Sequence, residues 1–313
     1  MVGAIAVAKS TCFPGARTTM AALHARRRRS PRRDLLPSLV RFAGALPLAV
    51  AVVACSSSGG GDVDHFKQTP TALGTPIADA NDPAHPLAKL CGPGCPPADG
   101  TCPKSCPTLD ARGVVVVAVD RFDETGDGKS IGNVYLQDPV QSAGRGTPFS
   151  GITVFQAQLI PNDLSLQPGD GVDATGPYQP FPGPASGAFA VPLPELVKPS
   201  VKLSYEGRSP DPIDVTLDDF ADVAKGMAWV GRLVRLKNVT VSGPFDAKRH
   251  EAAIDGSTAT AGSKLTLASQ LFLIDDPKGL NAAQGKTYAS VTGVLNFFYS
   301  FKLCPRTSDD VTP

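Results

Sequence analysis

The chain has 313 residues, with 30 basic and 29 acidic side chains and a formal net charge of +1. This balance hides a division at Cys55. Nine Lys and Arg but one Asp precede it, which leaves 21 basic (30 − 9) and 28 acidic (29 − 1) residues from Cys55 onward, a net charge of −7. Proteins that bind polynucleotides draw much of their affinity from cationic side chains, so this acidic body disfavours such a partner. Its length suffices for two ordinary domains.

The first 54 residues have the pattern of an export signal. A segment rich in arginine, residues 26–41, precedes the apolar run Phe42 to Ala54. This run has 13 residues, whereas a membrane-spanning helix requires about 20. Gly44 and Pro47 also interrupt it. We therefore predict a cleaved signal peptide over residues 1–54 rather than a membrane span.

The segment Val52, Val53, Ala54, Cys55 resembles the bacterial lipobox. In that family the cysteine receives a diacylglycerol and becomes the new N-terminus after cleavage. The polar run from Ser56 to Gly61 follows, as a flexible tether would. The resemblance implies an exported protein held on a membrane through lipid on Cys55. Ser56 in the next position resembles the pattern that permits sorting to the outer membrane.

Some features of this leader stay open. Translation can start at Met1 or at Met20, because the basic run follows both. Residues 31–36 resemble a twin-arginine signal, which implies export in the folded state, and the general secretory route is the alternative. A buried cysteine at a helix end is the alternative to the anchor at Cys55.

Residues 55–111 have the composition of a flexible linker, rich in Pro, Gly, Ala and Asp without an apolar period, so we expect little regular structure there. Cysteines make this linker unusual. In an oxidising compartment they favour disulfides, and a fifth cysteine near the C-terminus can close a bridge back to the linker. The candidates are Cys91, Cys95, Cys102, Cys106 and Cys304.

Copper is the alternative for the same cluster. Each of its two Cys-X3-Cys-Pro segments minimally matches a copper-chaperone motif, in which two thiolates and a distal histidine hold the metal. Only His65, His85 and His250 follow Cys55. None of them occurs in the expected domain context, so disulfides are favoured and no metal site is predicted.

An all-β body is predicted from residue 112 onward. Apolar, β-branched runs of strand length are separated by Gly, Pro and Asp, and few of them repeat every 3.6 residues. For the first domain, residues 112–213, the predicted strands are Val114 to Val119, Asn133 to Asp138, Gly151 to Gln156 and Gly171 to Gly176.

One short helix begins the second domain, residues 214–313. Thr216 and Asp219 have the spacing of a capping box ahead of Leu217, Phe220 and Val223, which share a helical face. Strands then resume at Trp229 to Val241, Leu265 to Asp275, Tyr288 to Gly293 and Val294 to Leu303. In the last of these, alternation places Tyr299 on the core face and Phe298 on the opposite face.

The two domains also resemble each other. Asn133 to Asp138 resembles Gln270 to Asp275, and Gln167 to Gly176 resembles Gln284 to Gly293, in the same order. With Gly151 to Phe155 between them, these motifs resemble the OB-fold-like module of bacterial secreted nucleases and cell-surface lipoproteins, over residues 112–310. The resemblance implies two OB-like β-barrels. In the nucleases a metal-dependent phosphodiesterase domain follows the module, and the chain ends at residue 313, so we expect no nuclease activity.

No motif for catalysis is found. The nucleophile elbow, the HisGluXXHis helix, the phosphate-binding loop and the dinucleotide-binding turn are absent from the sequence. Asp120, Asp123, Glu124 and Asp127 form an acidic cluster before a turn, but in an EF-hand frame from Asp123 the twelfth position is Val134, where calcium requires a Glu. A solvated hairpin loop is favoured. We predict no catalytic residue and no cofactor.

The candidate binding residues are aromatic. Tyr135 and Phe272 occupy matching places in the two repeats, opposite the predicted core positions, and Phe298 is the third candidate. OB-folds stack bases or sugars on such rings. Packing of the rings against the other barrel or the helix is the alternative.

The sequence therefore predicts a non-enzymatic cell-envelope lipoprotein that acts as a binding or scaffold module. One alternative is a nucleic-acid or oligosaccharide binding component of a secreted nuclease system, and another is an undetected metal-dependent hydrolase. The predicted partners are the lipid membrane through Cys55 and a single-stranded nucleic acid, an oligosaccharide or an envelope protein. The oligomeric state is not predicted.

Overall fold

A computed structural model describes residues 74–91, 107–123, 132–139, 147–183, 189, 191–256, 264–275 and 280–313. The predicted signal peptide, Cys55, Cys95, Cys102 and Cys106 lie outside these residues, as does the side chain of Cys91.

The first sheet is built from residues 108–205. Its strands are β1 Thr108–Val119, β2 Val134–Gln137, β3 Gly151–Phe155, β4 Gln158–Ile160, β5 Gly171–Pro177, β6 Glu195–Val197 and β7 Ser200–Tyr205. Their order is β4-β7-β5-β1-β2-β3-β6. β1 is long because its first half pairs with β5 and its second half pairs with β2. The register shifts between Ala111 and Val114, where Gly113 has a φ of 63°, a conformation that glycine adopts without strain.

The second sheet follows from residue 213. Its strands are β8 Ile213–Val215, β9 Leu233–Thr240, β10 Glu251–Ala253, β11 Leu265–Ala268, β12 Thr287–Phe297, β13 Phe301–Cys304 and β14 Val311–Thr312. Their order is β10-β11-β13-β12-β9-β8, and β14 pairs with β12. Isolated β-bridges add further backbone pairs to both sheets. Tyr178 pairs with Leu196 beside the first sheet, and Val241 pairs with Ile254 beside the second.

The described helices are α1 Ile77–Asn81, α2 Ala88–Cys91, α3 Val223–Met227 and the 3₁₀ turns Leu217–Phe220 and Ser308–Asp310. Each has five residues or fewer. The all-β prediction is therefore confirmed. Within the described part of the chain, no helix has the length and apolar character needed to span a membrane.

The predicted capping box is present, but it starts a 3₁₀ turn. The backbone N–H of Thr216 donates to Asp219 Oδ2 at 2.7 Å. A second cap follows, because Asp222 Oδ1 accepts the N–H of Lys225 at 2.8 Å and begins α3. The single predicted helix is thus two short pieces, and Phe220 is the side chain of the first that is buried.

Residues 74–91 are structured, which corrects the prediction of a flexible linker over residues 55–111. Ile77 and Ala80 of α1 are buried in the core of the first sheet. Asp138 accepts the N–H groups of Ile77 and Ala78, both at 2.9 Å. Asn81 Nδ2 donates to the carbonyl of Gly151 at 2.6 Å. These contacts span 60 residues or more, so local composition did not reveal them. β1 also begins at Thr108, ahead of the predicted residue 112.

Each sheet has its own hydrophobic core, and a third cluster lies between the sheets. In this cluster Ala118 and Tyr135 of the first sheet are grouped with Leu233 and Val294 of the second. The two β units are therefore stacked. Stacking of successive units suggests the coils of a β-solenoid rather than two separate barrels, so the OB-like part of the prediction is not confirmed.

The second half departs from the predicted repeat. The strand predicted from Leu265 to Asp275 ends at Ala268. A bend follows, closed by the backbone N–H of Ile274, which donates to Ser269 Oγ at 3.1 Å. Gln270 to Asp275 is therefore a bend, whereas its counterpart in the first half contains β2.

Candidate functional site

A three-residue turn, Phe298 to Ser300, joins β12 to β13. We predicted one continuous strand here. Phe297 pairs with Phe301, and the N–H of Phe298 donates to the carbonyl of Ser300 at 3.0 Å. Tyr299 has a φ of 61° and is 45% exposed. The prediction that Tyr299 faces the core is therefore wrong, because the turn reverses the chain before it.

Phe189 packs against this turn. Its ring is 8% exposed and meets the rings of Phe298 and Tyr299 edge-on, at centroid distances of 5.5 and 5.2 Å. It also contacts the core ring of Phe297 at 5.3 Å. Edge-to-face pairs are worth about 0.5–1.5 kcal/mol each beyond area burial. We call Phe189, Phe298 and Tyr299 the aromatic tip.

The aromatic tip exposes apolar surface in a fixed arrangement. Among the described residues, the exposed large hydrophobic side chains are Ile160, Leu203, Phe298 and Tyr299. The last two are neighbours whose rings meet at 5.0 Å. Exposed rings that are already ordered lose little conformational entropy on binding, and aromatic residues are enriched among the hot spots of protein interfaces. This arrangement suits the binding of an apolar partner surface.

Tyr135, by contrast, has no free ring face. It is 3% exposed, is grouped with Leu233 and Val294 between the sheets, and its hydroxyl accepts a hydrogen bond from Asn296 Nδ2 at 3.2 Å. Its assignment as a ligand platform is corrected, since the second sheet covers the strand face that was predicted to be open.

Phe272 and Phe298, the other two predicted binding residues, lie in different places. Phe272 is partly buried and packs against the core of the second sheet. Phe298 is 42% exposed at the aromatic tip. The three predicted rings thus form no common platform. Sequence reasoning missed Phe189 and the exposure of Tyr299. One signal was available: the predicted strand from Val294 to Leu303 has ten residues, the upper end of the usual strand length of about 3–10.

A polar cluster accompanies Tyr135 between the sheets. Asn296 Nδ2 also donates to Gln270 Oε1 at 2.8 Å, and Cys304 Sγ donates to the same oxygen at 3.2 Å. We call Tyr135, Gln270, Asn296 and Cys304 the inter-sheet seam. Cys304 is buried here, and the side chains predicted to pair with it are not described, so the bridge from Cys304 stays a prediction. The pairing of Cys91, Cys95, Cys102 and Cys106 falls outside the described side chains and stays a prediction.

Four charged side chains are largely buried. Lys302 Nζ pairs with Glu251 Oε2 at 2.6 Å, with side chains 8% and 11% exposed. Glu195, on the end strand β6, is buried, and desolvation raises its pKa to about 7. Burial lowers the pKa of Arg232 to about 10, and the neighbouring Asp138 carboxylate opposes this shift.

Among the described residues, the side chains of the alternative copper and calcium sites do not form a metal site. His85 Nε2 is 3.9 Å from Asp79 Oδ2, and His250 lies in a turn beside Phe245. Asp120 is buried, and its Oδ1 accepts the N–H of Phe122 at 3.2 Å. His65, Glu124 and Asp127 lie outside the described residues. Across the residues that the structure describes, no group of three or more His, Cys, Asp or Glu side chains has the geometry to hold a metal ion.

Comparison with known proteins identified no relative of this chain. No protein-family model, no curated protein and no solved structure matches this chain.

Proposed function

We propose that this protein is an exported lipoprotein, anchored at the cell envelope through Cys55, that acts as a non-enzymatic binding or scaffold module. Its contact with a partner protein is the aromatic tip. The observation that carries this assignment is the exposure of Phe298 and Tyr299, 42% and 45%, although the buried Phe189 ring fixes both.

The chemistry of the tip favours a protein over a nucleic acid. Its three members are uncharged, and the body after Cys55 has a net charge of −7 (21 − 28). Single-stranded nucleic acid requires a positively charged groove along its backbone in addition to stacking rings. Apolar rings that meet a complementary apolar pocket gain their affinity from burial instead.

The anchor restricts where this partner can be. The described body begins at Gly74, 19 residues after Cys55. A chain of this length spans at most about 65 Å when fully extended. The start of the body is therefore held near the membrane surface, which points to a partner in the same envelope.

We further propose that each half is an OB-like unit. Support comes from the second sheet, where the path β9-β12-β13-β11-β10 returns to β9 through the bridge between Val241 and Ile254. Along this path β9, β12 and β13 pair antiparallel, and β11 pairs parallel with β13. Two backbone hydrogen bonds accompany this bridge. The N–H of Ser242 donates to the carbonyl of Ala253 at 2.9 Å, and the N–H of Asp255 donates to the carbonyl of Thr240 at 2.8 Å. Slow exchange of both amide hydrogens is expected of a closed unit, and exchange at loop rates would contradict it.

Photo-crosslinking in intact cells tests the proposed contact. A photoreactive phenylalanine analogue replaces Tyr299 in one variant and Leu203 in the control, because Leu203 is also exposed, at 38%. We expect one dominant adduct with an envelope protein from position 299, lost when Phe298→Ala is added. The proposal fails if position 299 yields no adduct or if position 203 yields the same one.

Two further assays separate the alternative functions. A salt-sensitive gel shift with single-stranded DNA that Phe298→Ala and Tyr299→Ala abolish together would replace the protein partner with a nucleic acid. Hydrolysis of a model phosphodiester that EDTA abolishes would replace the binding module with a metal-dependent hydrolase.

A further inference from the structure

A polar groove crosses the outer face of the first sheet. Its side chains alternate with buried ones: Leu109, Ala111, Ala174 and Val201 point into the core. The groove spans β4, β7, β5 and β1, which are adjacent in the sheet. A cavity of about 310 Å³ opens there, lined by Asp110, Arg112, Ile160, Asp173, Thr175, Ser200 and Lys202.

Strand register places short side chains between long ones. Thr175 stands opposite both Asp110 and Ser200. In the next row, Lys202 stands opposite both Asp173 and Ile160. Thr175 and Ser200 are the shortest lining side chains, so they form the floor of the groove. The longer side chains of both rows form the sides of the groove.

The two carboxylates of the groove are held in fixed positions. Asp110 accepts hydrogen bonds from Arg112 Nε at 2.9 Å and from Thr175 Oγ1 at 2.8 Å. The hydrogen bond from Arg112, followed by that from Thr175, lowers the pKa of Asp110. Asp173 Oδ1 accepts the N–H of Gly113 at 2.9 Å. These carboxylates keep acceptor capacity for a ligand, because each oxygen can accept more than one hydrogen bond.

The charges of the groove cancel. Asp110 and Asp173 balance Arg112 and Lys202. Among the described residues, Lys202 has no ion pair with an acidic side chain, so its ammonium group is available as a donor. A neutral set of donors and acceptors gives no net attraction to a polyanion or to a divalent cation. Ile160, 44% exposed, adds one apolar contact beside these polar groups.

We infer that this groove binds a neutral, hydroxyl-rich ligand, an oligosaccharide segment. Sugar hydroxyls both donate and accept, as the fixed carboxylates, hydroxyls and cations of the groove require, and the apolar face of a sugar ring fits the Ile160 side chain. The N–H of Thr75 donates to the carbonyl of Asp110 at 2.8 Å. The first described residues, which follow Cys55 in the sequence, therefore lie next to the groove. This site does not depend on the aromatic tip.

Calorimetric titration of the full-length protein in detergent tests the site. The probes are cellopentaose, maltopentaose, mannopentaose and chitopentaose, and pentaphosphate is the anionic probe. We expect one of the four sugars to bind, and its affinity to fall about tenfold in each of Thr175→Val and Lys202→Met, as expected for loss of a hydrogen bond. Thr175→Ser keeps the hydroxyl and should keep the affinity.

Matched controls come from the second sheet and from the tip. Thr287→Val and Lys237→Met remove the same groups from exposed positions on β12 and β9, and Phe298→Ala alters the aromatic tip. All three should leave sugar affinity unchanged. The site is refuted if none of the four sugars binds, if the groove variants bind as tightly as the parent, or if pentaphosphate binds more tightly than every sugar. Loss of the Tyr299 crosslink would leave this result untouched.

Discussion

The inter-sheet seam and the aromatic tip both contain a tyrosine, but they bury it to opposite extents. Tyr135 in the seam is 3% exposed, and Tyr299 at the tip is 45% exposed. Tyr135 is covered because a second sheet stacks on its strand face. Tyr299 is exposed because the turn Phe298 to Ser300 carries it away from both sheets. Alternation along a strand assigns a side chain to one of two faces, and tertiary stacking decides which face meets solvent.

Removal of the two tyrosine rings should give the largest difference in stability between these regions. Tyr135→Ala leaves a cavity between the sheets, so we expect it to lower the free energy of unfolding by about 3–5 kcal/mol. Tyr299→Ala removes an exposed ring and should cost less than about 1 kcal/mol. Urea denaturation followed by circular dichroism measures both. Equal losses in the two variants would show that the seam is not packed as described.

The buried ion pair of the second sheet should come next. Lys302→Met leaves the Glu251 carboxylate desolvated without its cation, and we expect a loss of about 3 kcal/mol. Lys237→Met breaks an exposed pair with Asp214, in which the lysine side chain is 59% exposed, and should change stability by less than about 0.5 kcal/mol. The same denaturation assay applies. A Lys302→Met variant as stable as Lys237→Met would contradict the burial of the pair.

Glu195 gives the first sheet a pH dependence. Burial raises its pKa from the ordinary value of 4.5 to about 7. Because the fold favours the protonated form, its contribution to stability is complete below pH 4.5 and is lost as the pH rises through 7. The shift corresponds to about 3 kcal/mol at most. The free energy of unfolding of Glu195→Gln, minus that of the parent, should therefore rise between pH 4.5 and pH 7.5. A constant difference over this range would exclude a raised pKa.

At the tip, the effect on stability should be smaller than in the seam. Phe298→Ala removes one exposed ring and its edge-to-face contacts, so we expect a loss of about 0.5–1.5 kcal/mol. The same substitution should abolish the crosslink from position 299. Loss of stability on the scale of Tyr135→Ala, or retention of the crosslink, would mean that Phe298 has a structural role rather than a binding role.

Local patterns predicted part of this structure. The β-branched run from Val114 to Val119 forms the second half of β1, and the capping box between Thr216 and Asp219 is present. Both depend on residues that are near each other in sequence. The apolar alternation of β12 is also local, and Leu295 and Phe297 are buried as expected.

The remainder depends on distant contacts or on a turn with few of the usual turn residues. Asp138 and Gly151 order α1 from 60 or more residues away. Gly, Pro, Asn, Asp and Ser normally mark a turn, and the turn from Phe298 to Ser300 contains only one of them, Ser300. Phe189 reaches the tip across more than 100 residues of sequence. The charges of the polar groove were visible in the sequence, but their balance across three strands required the register.

The mature N-terminus tests the envelope assignment most directly. Intact mass and detergent-phase partitioning are compared for the parent and for Cys55→Ser, both purified from membranes and supernatant. We expect the parent to begin at a diacylglycerol-modified Cys55 and to enter the detergent phase, and Cys55→Ser to be soluble. A parent protein that retains residues 1–54, or a Cys55→Ser variant that stays in the detergent phase, would contradict the lipoprotein assignment.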